Sequence, residues 1–490
     1  MPTTSEPTTT APSPALARTG PAIALLLISA FVVVLNETAM GVAIPHIMES
    51  FDVSAASAQW LTTAFMLTMA VVIPVTGVLL QRFTLRRSFF TAMGLFAVGT
   101  AIAAFAPTFE VLLVARIVQA LGTSIMLPLL FTTVMQLVAP ERRGRTMGLV
   151  TIVTAAAPAL GPTVSGVIVS TLGWQWVFLI VLPIALLAIV AGAVWLRDVT
   201  PTMPARFDVL SVLLSAVGFS GLIYGLASIG ESVGGSEGLP VWIPLVVGIL
   251  ALVALVLRQL ALRDTDRVLL DVRVFAGRTF AMSTVTLVVV SIAMFGSLIL
   301  LPLYIQQVLG EPAYVAGLML LPGGILSGLL APFVGMAYDK IGPRALIVPG
   351  AAIVTAAMLA FSTLGAGTPV ALVIGMHLLL NVGTALMMTP LMTTALGSVT
   401  PELYPHASAI VNTLQQVSGA AGTALFITLF TVASAAATAS DPTAALADGV
   451  GTAFGVGAAI SAIGIVLALF LRRPAPGVAA PDQQGAEASR

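Results

Sequence analysis

The chain contains no cysteine in 490 residues, which removes disulfides, thiolate nucleophiles and sulfur-ligated metal sites from consideration. Histidine is nearly as scarce, at three copies. With no thiol and so few imidazoles, no nucleophile–base pair, paired catalytic carboxylates or metal cluster can be assembled. The sequence is therefore not read as an enzyme, and no catalytic residue, metal site or cofactor is expected. No Gly-x-x-x-x-Gly-Lys-Ser/Thr loop is present to cradle a phosphate, which argues against ATP-driven work. Charge is the third shortage: only 8% of the residues are charged, against roughly a quarter in a soluble domain.

What fills the chain is apolar, 58% of it, arranged in runs of about 20 residues, the length a helix needs to cross roughly 30 Å of hydrocarbon. Alternating ten-residue strands are absent, so the runs are read as helices. Fourteen spans are predicted, near 21–44, 58–80, 88–106, 110–136, 146–170, 175–197, 208–229, 242–262, 279–303, 313–337, 344–364, 369–394, 407–433 and 450–471. The 20 Lys and Arg are read as lying in the two tails and in alternate connections, with Arg116 alone inside a span. Basic loops stay cytoplasmic, which puts Arg82, Arg86 and Arg87, then Arg142, Arg143 and Arg145, then Lys340 and Arg344 on that side. An even number of spans returns both termini to the cytoplasm, in the cell membrane. The basic groups form a one-sided belt facing anionic headgroups of the bilayer, and no nucleic-acid partner is expected.

The Thr/Pro/Ser-rich start lacks a strongly basic signal-peptide head, so the first apolar run reads as a retained span. Residues 1–19 and 474–490 read as disordered cytoplasmic tails. Asn36-Glu37-Thr38 matches the glycosylation triplet, but inside a membrane helix it cannot be a surface acceptor.

The segment Gly335-Met336-Ala337-Tyr338-Asp339-Lys340-Ile341-Gly342-Pro343-Arg344 has a degenerate earlier copy, Gly77-Val78-Leu79-Leu80-Gln81-Arg82-Phe83-Thr84-Leu85-Arg86-Arg87. Each follows the second span of a six-span block. The chain therefore divides into two six-helix halves, 20–197 and 279–473, separated by a linker, 198–278, that carries two extra spans. Repeated halves are a transporter architecture.

Gly335–Arg344 resembles the cytoplasmic signature loop of the major facilitator superfamily. Arg116-Ile117-Val118-Gln119-Ala120-Leu121-Gly122 is similar to that family's fourth-helix motif, with Ala120 where Gly is usual. Pro158-Ala159-Leu160-Gly161-Pro162-Thr163-Val164-Ser165-Gly166 resembles its fifth-helix antiporter motif. Fourteen spans, together with Gly173–Ile180 and Leu269–Phe275, resemble the drug:proton antiporter-2 branch. The earlier signature copy departs from the pattern, with Gln81 where Asp is usual and Thr84 where Gly is usual. In the first span Asn36 stands where the common form has Asp, and the acid is displaced to Glu37. The resemblance implies an all-α membrane protein of the major facilitator fold that exchanges small lipophilic substrates for protons.

Glu37 is the acid this reading places within a span. A carboxylate there is desolvated, which favours its protonated form. It can carry a proton in one state and pair with a cationic substrate in another, or remain a protonated hydrogen-bonder. Asn36 is its partner across the cavity or a simple interhelical bonder, and Met40 lies one turn on. Arg116, Gln119 and Thr123 form a polar stripe predicted to face the interior. Arg116 cannot release a proton; it acts on a neighbouring carboxylate or as a buried bonder to backbone carbonyls. In the second half His377 and Asn381 share a face, joined as cavity candidates by Asn412 and Gln415, with Gln416 adjacent. His377 reads either as a titrating group or as a neutral interhelical bonder.

Pro158, Gly161, Pro162 and Gly166 permit a bend and close helix contact, and the resembled motif goes with export by antiport. Gly77, Arg82, Arg86, Gly335, Asp339, Lys340, Gly342 and Arg344 form loops between helices that move as the halves rock, with Asp339 as a candidate latch. The expectation is a monomeric drug:proton antiporter. The alternatives are a dedicated exporter of one antibiotic or metabolite and, from another class, a non-transporting scaffold or sensor.

Overall fold

With no water to satisfy backbone groups inside a bilayer, each apolar run closes its hydrogen bonds internally as a helix. The computed structural model describes residues 19–198, 202, 207–233, 240–263, 265, 267–437 and 441–471; both tails, and the remaining gaps, lie outside the described residues. The first half comprises α1 (Thr19–Phe51), α2 (Ala55–Arg82), α3 (Leu85–Ala104), α4 (Phe109–Leu137), α5 (Arg143–Leu172) and α6 (Gln175–Trp195). The two extra helices are α7 (Val209–Val233) and α8 (Trp242–Leu262). The second half comprises α9 (Arg278–Gln307), α10 (Ala313–Ile341), α11 (Arg344–Phe361), α12 (Val370–Gly397), α13 (Tyr404–Ala436) and α14 (Pro442–Leu469). Thirteen helices are long and apolar enough to cross a membrane, and α5, bent by 42° between Pro158 and Thr163, makes up to 14.

Two ends differ most from the expected spans. Helix α1 runs on through Pro45 to Phe51, because a membrane helix tolerates an internal proline. It stops where Asp52 turns left-handed at φ 50°, a conformation that Asp adopts more readily than most residues. Glu37 therefore lies near the middle of α1. Helix α14 starts at Pro442, where Asp441 accepts the Thr443 N–H at 3.0 Å; an Asp cap followed by proline is a strong start signal.

The charge assignment also needs correction. Arg258 lies inside α8, where its guanidinium grips Asp208 with bonds of 2.6 and 2.7 Å. Glu110 opens α4. Glu37 is nevertheless the one acid in the middle of a span among the described residues.

In the first half α3 and α4 pack together and α1 lies on α5; in the second, α11 pairs with α12 and α9 with α13. The halves meet along two seams, α5 with α10 and α2 with α13. Helices α7 and α8 form a glycine-lined hairpin: a Cβ on Gly248 would come within 2.7 Å of the Leu222 nitrogen. Its outer face shows Val246, Leu250, Val253 and Leu257, as lipid contact requires. Helix α7 reaches both α2 and α13.

Candidate functional site

The residues Arg116, Gln119 and Thr123 fall on one side of α4, and all three are at most 2% exposed. The guanidinium of Arg116 donates to Gln119 Oε1 at 2.9 Å and to Asn36 Oδ1 on α1 at 3.5 Å. It lies 4.2 Å from the centre of the Phe65 ring on α2, a distance at which a cation is drawn to the π face. Gln119 donates onward to the Thr100 hydroxyl of α3 at 2.8 Å. One cation thus ties α1, α2, α3 and α4 together. Thr100 and Phe65 carried no signal in the sequence, since each sits among ordinary apolar neighbours.

Glu37 is partly exposed, next to buried Asn36 and close to buried Met40. Arg116 is within electrostatic reach of it, yet among the described residues no hydrogen bond or ion pair joins the two. The Glu37 carboxylate has no hydrogen-bonding or ion-pairing partner among the described residues. Asn36 bonds to Arg116, which makes it an interhelical contact between α1 and α4. Met40 packs in an apolar cluster with Ala43, Ile47 and Leu61.

Just beyond Glu37, α1 lies tightly on the bent part of α5. Gly161 leaves room for the Thr38 side chain, Gly166 faces Val42, and the Ser165 hydroxyl donates to the Ala39 carbonyl at 2.7 Å. A side chain at Gly161 would collide with Thr38. The bend of 42° follows Pro158; the side chain of Pro162 lies outside the described residues. The acid and the Gly/Pro segment are thus adjacent, although they lie far apart in the chain.

In the second half Asn381 Nδ2 donates to the His377 carbonyl at 2.9 Å and lies 3.1 Å from His377 Nε2. Both side chains pack into space left by Gly323 on α10. Asn412 donates to the Ser408 carbonyl within its own helix at 2.8 Å. Gln416 reaches Met69 Sδ on α2 at 3.8 Å, while Gln415 is partly exposed.

At the end of the bundle that carries the two signature segments, the seams are held unequally. Asp339, at the end of α10, accepts backbone N–H bonds from Gly144 at 2.8 Å and Arg145 at 2.9 Å. Gly335 and Gly144 meet backbone to backbone, with no room for a Cβ on either. Further in, the hydroxyls of Thr151 and Thr389 are 2.6 Å apart across the halves. On the α2 side Gln81 Nε2 donates to the Glu402 carbonyl at 3.1 Å, and Gly77 faces His406. Arg86 ties α3 to α6, its backbone N–H donating to Asp198 at 3.2 Å and its guanidinium to the Ala193 carbonyl at 3.3 Å. Arg82 lies 5.6 Å from the Phe207 ring. Gly342 ends α10 at φ 81°, the left-handed turn for which glycine is suited; Lys340 and Arg344 are exposed beside it. Together these contacts join the two halves at this end of the bundle.

A family model described as Major Facilitator Superfamily matches residues 26–423. The lincomycin resistance protein LmrB of Listeria monocytogenes is 39% identical over 92% of this chain and 97% of its own length. Its namesake in Bacillus subtilis is 37% identical over 92% and 96%. A multidrug resistance protein B homolog of Mycobacterium tuberculosis is 31% identical over 80% and 73%. The crystal structure of the human organic anion transporter MFSD10 (TETRAN) superposes with a TM-score of 0.66, covering 92% of this chain and 99% of that one at 13% identity, a likeness of fold alone.

Proposed function

Because this chain belongs to the Major Facilitator Superfamily, a family of multi-pass membrane transporters of small molecules, we propose that it is a drug:proton antiporter of the fourteen-span branch. It exports amphipathic, cationic compounds, as a monomer with both termini cytoplasmic. The observation that carries this reading is Glu37: an acid in mid-span, partly exposed, near a buried guanidinium but not bonded to it. An intramembrane carboxylate is costly and by default functional. In the outward-facing state Glu37 takes a proton; the halves 20–197 and 279–473 rock; a cationic drug displaces the proton inside and leaves outside after the return. The single acid limits the coupling to about one proton per cycle, with poor handling of dications.

A second reading, a dedicated exporter of one antibiotic, is favoured by relatives named for lincomycin resistance at 39% and 37% identity. In inverted vesicles with a respiration-built, inside-acid gradient, adding ethidium should dissipate the gradient for the natural chain and not for Glu37→Gln. No response to a panel of lipophilic cations, with a response to lincomycin, would select the dedicated exporter. No response to any substrate would sink both in favour of a scaffold.

A further inference from the structure

We propose that the segment Leu269–Asp271, between α8 and α9, is a clamp held by Gln259 on the cytoplasmic seam between α2 and α13. This makes Gln259 and His406 positioning residues of the transport cycle, and the two extra helices the anchor of a gate rather than a spacer. The inference rests on the alternating-access reading above.

Gln259 is 1% exposed on α8. Its Oε1 accepts the backbone N–H of Leu269 at 2.8 Å and of Leu270 at 3.2 Å. Its Nε2 donates to the Ser211 hydroxyl on α7 at 2.8 Å, and Ser211 in turn donates to Asp208, the partner of Arg258. The linker is thereby pinned to the α7–α8 hairpin by a buried side chain with both ends of its amide in use.

The other face of the same segment holds the seam. The Leu269 carbonyl accepts a hydrogen bond from His406 Nδ1 at 3.1 Å; a carbonyl can only accept, so the proton is on Nδ1. His406, 3% exposed, is carried by α13 and fills a notch on α2: a Cβ on Gly77 would lie 2.9 Å from His406 Nδ1 and 3.4 Å from the Leu269 oxygen. Asp271, 3% exposed, is secured by Arg273 Nε at 2.9 Å. Leu269, Leu270 and Val274 join the main apolar core. One point of the linker is therefore shared by a helix of each half. Opening the cytoplasmic end separates α2 from α13, which removes either the ring from the Gly77 notch or the carbonyl from the ring.

The absence of cysteine allows spin labels to be placed without background, at Arg87→Cys on α3 and Ala345→Cys on α11, both exposed at the cytoplasmic end. In this labelled background Gln259→Met keeps the side-chain length and removes the linker bonds, while His406→Phe keeps the ring and removes the donor. Pulsed electron paramagnetic resonance should show the cytoplasm-open population raised roughly fivefold in each, the shift expected from losing about one buried hydrogen bond. The readout needs no substrate, so it stands or falls separately from drug:proton exchange. An unchanged distance distribution in either folded variant overturns the proposal. Loss of folding in both also overturns it, since a positioning role requires a chain that folds without the clamp.

Discussion

The carboxylate of Asp339 accepts the backbone N–H of Gly144 at 2.8 Å across the two halves, and that of Arg145 with its other oxygen at 2.9 Å. A side chain at the end of α10 thus caps the first turn of α5, where unpaired N–H groups and the helix dipole favour an anion. Replacing a cap by Ala costs about 1 kcal/mol. Asp339→Ala should therefore raise the cytoplasm-open population roughly fivefold. The check is the rate at which a charged thiol reagent, applied from the cytoplasmic side, labels Thr151→Cys in that background.

Gly335 meets Gly144 with no space for a side chain. Gly335→Val should hold the α5–α10 seam apart and abolish transport without preventing insertion. The same thiol reagent should label Thr151→Cys at its open-state rate in this variant. Protection equal to that of the natural glycine would show that the seam yields.

Arg116 serves Asn36, Gln119 and the Phe65 ring at once. Arg116→Met strands those acceptors in an apolar interior, a loss of about 1–3 kcal/mol, and should lower the melting temperature in detergent. Arg116→Lys keeps a charge but loses the planar fork, and should fall between the two. If Glu37 and Arg116 are coupled electrostatically, Glu37→Gln should soften the effect of Arg116→Met in a double-mutant cycle. Strict additivity would deny the coupling.

Hydrogen bonds from Arg258 hold the Asp208 carboxyl well below the usual carboxylate range. A depressed folded value means that this stabilisation is full above the unfolded value of about 4 and is lost as pH falls through the lower folded one. The hairpin pair should therefore contribute equally at pH 5 and pH 8. Asp208→Asn should lower the melting temperature by the same amount at both values, measured by differential scanning fluorimetry. A difference that grows between pH 8 and pH 5 would contradict the assignment.

Much of the architecture was legible because lipid imposes it: apolar runs of spanning length, basic residues that, Arg116 and Arg258 apart, avoid the middles of the helices, and a repeated signature segment. The i, i+3, i+7 spacing put Arg116, Gln119 and Thr123 on one face, and that face is buried. Pairings between distant segments were not legible. Arg258 belongs to the expected span 242–262 rather than to a connection, and its ion pair with Asp208, 50 residues away, has no local mark in the sequence. Gln259 and His406 passed unremarked, since each is an isolated polar residue whose partners are backbone groups of another segment. The continuation of α1 to Phe51 was hidden behind Pro45, and the Asp441-Pro442 start of α14 was a local signal that the apolar count overlooked.

Backbone meeting backbone at Gly144 and Gly335 also bears on how fast the seam can part. Interlocked side chains must change rotamer, one after another, before two helices separate; a bare glycine contact has none to release. At that point the links to be broken are polar, the Asp339 cap and, further in, the Thr151–Thr389 hydroxyl pair. The glycine contact therefore opens at the rate at which those bonds break, and only deeper along the seam, where the Ile152 and Ala156 side chains lie against Gly328, does separation require side chains to part.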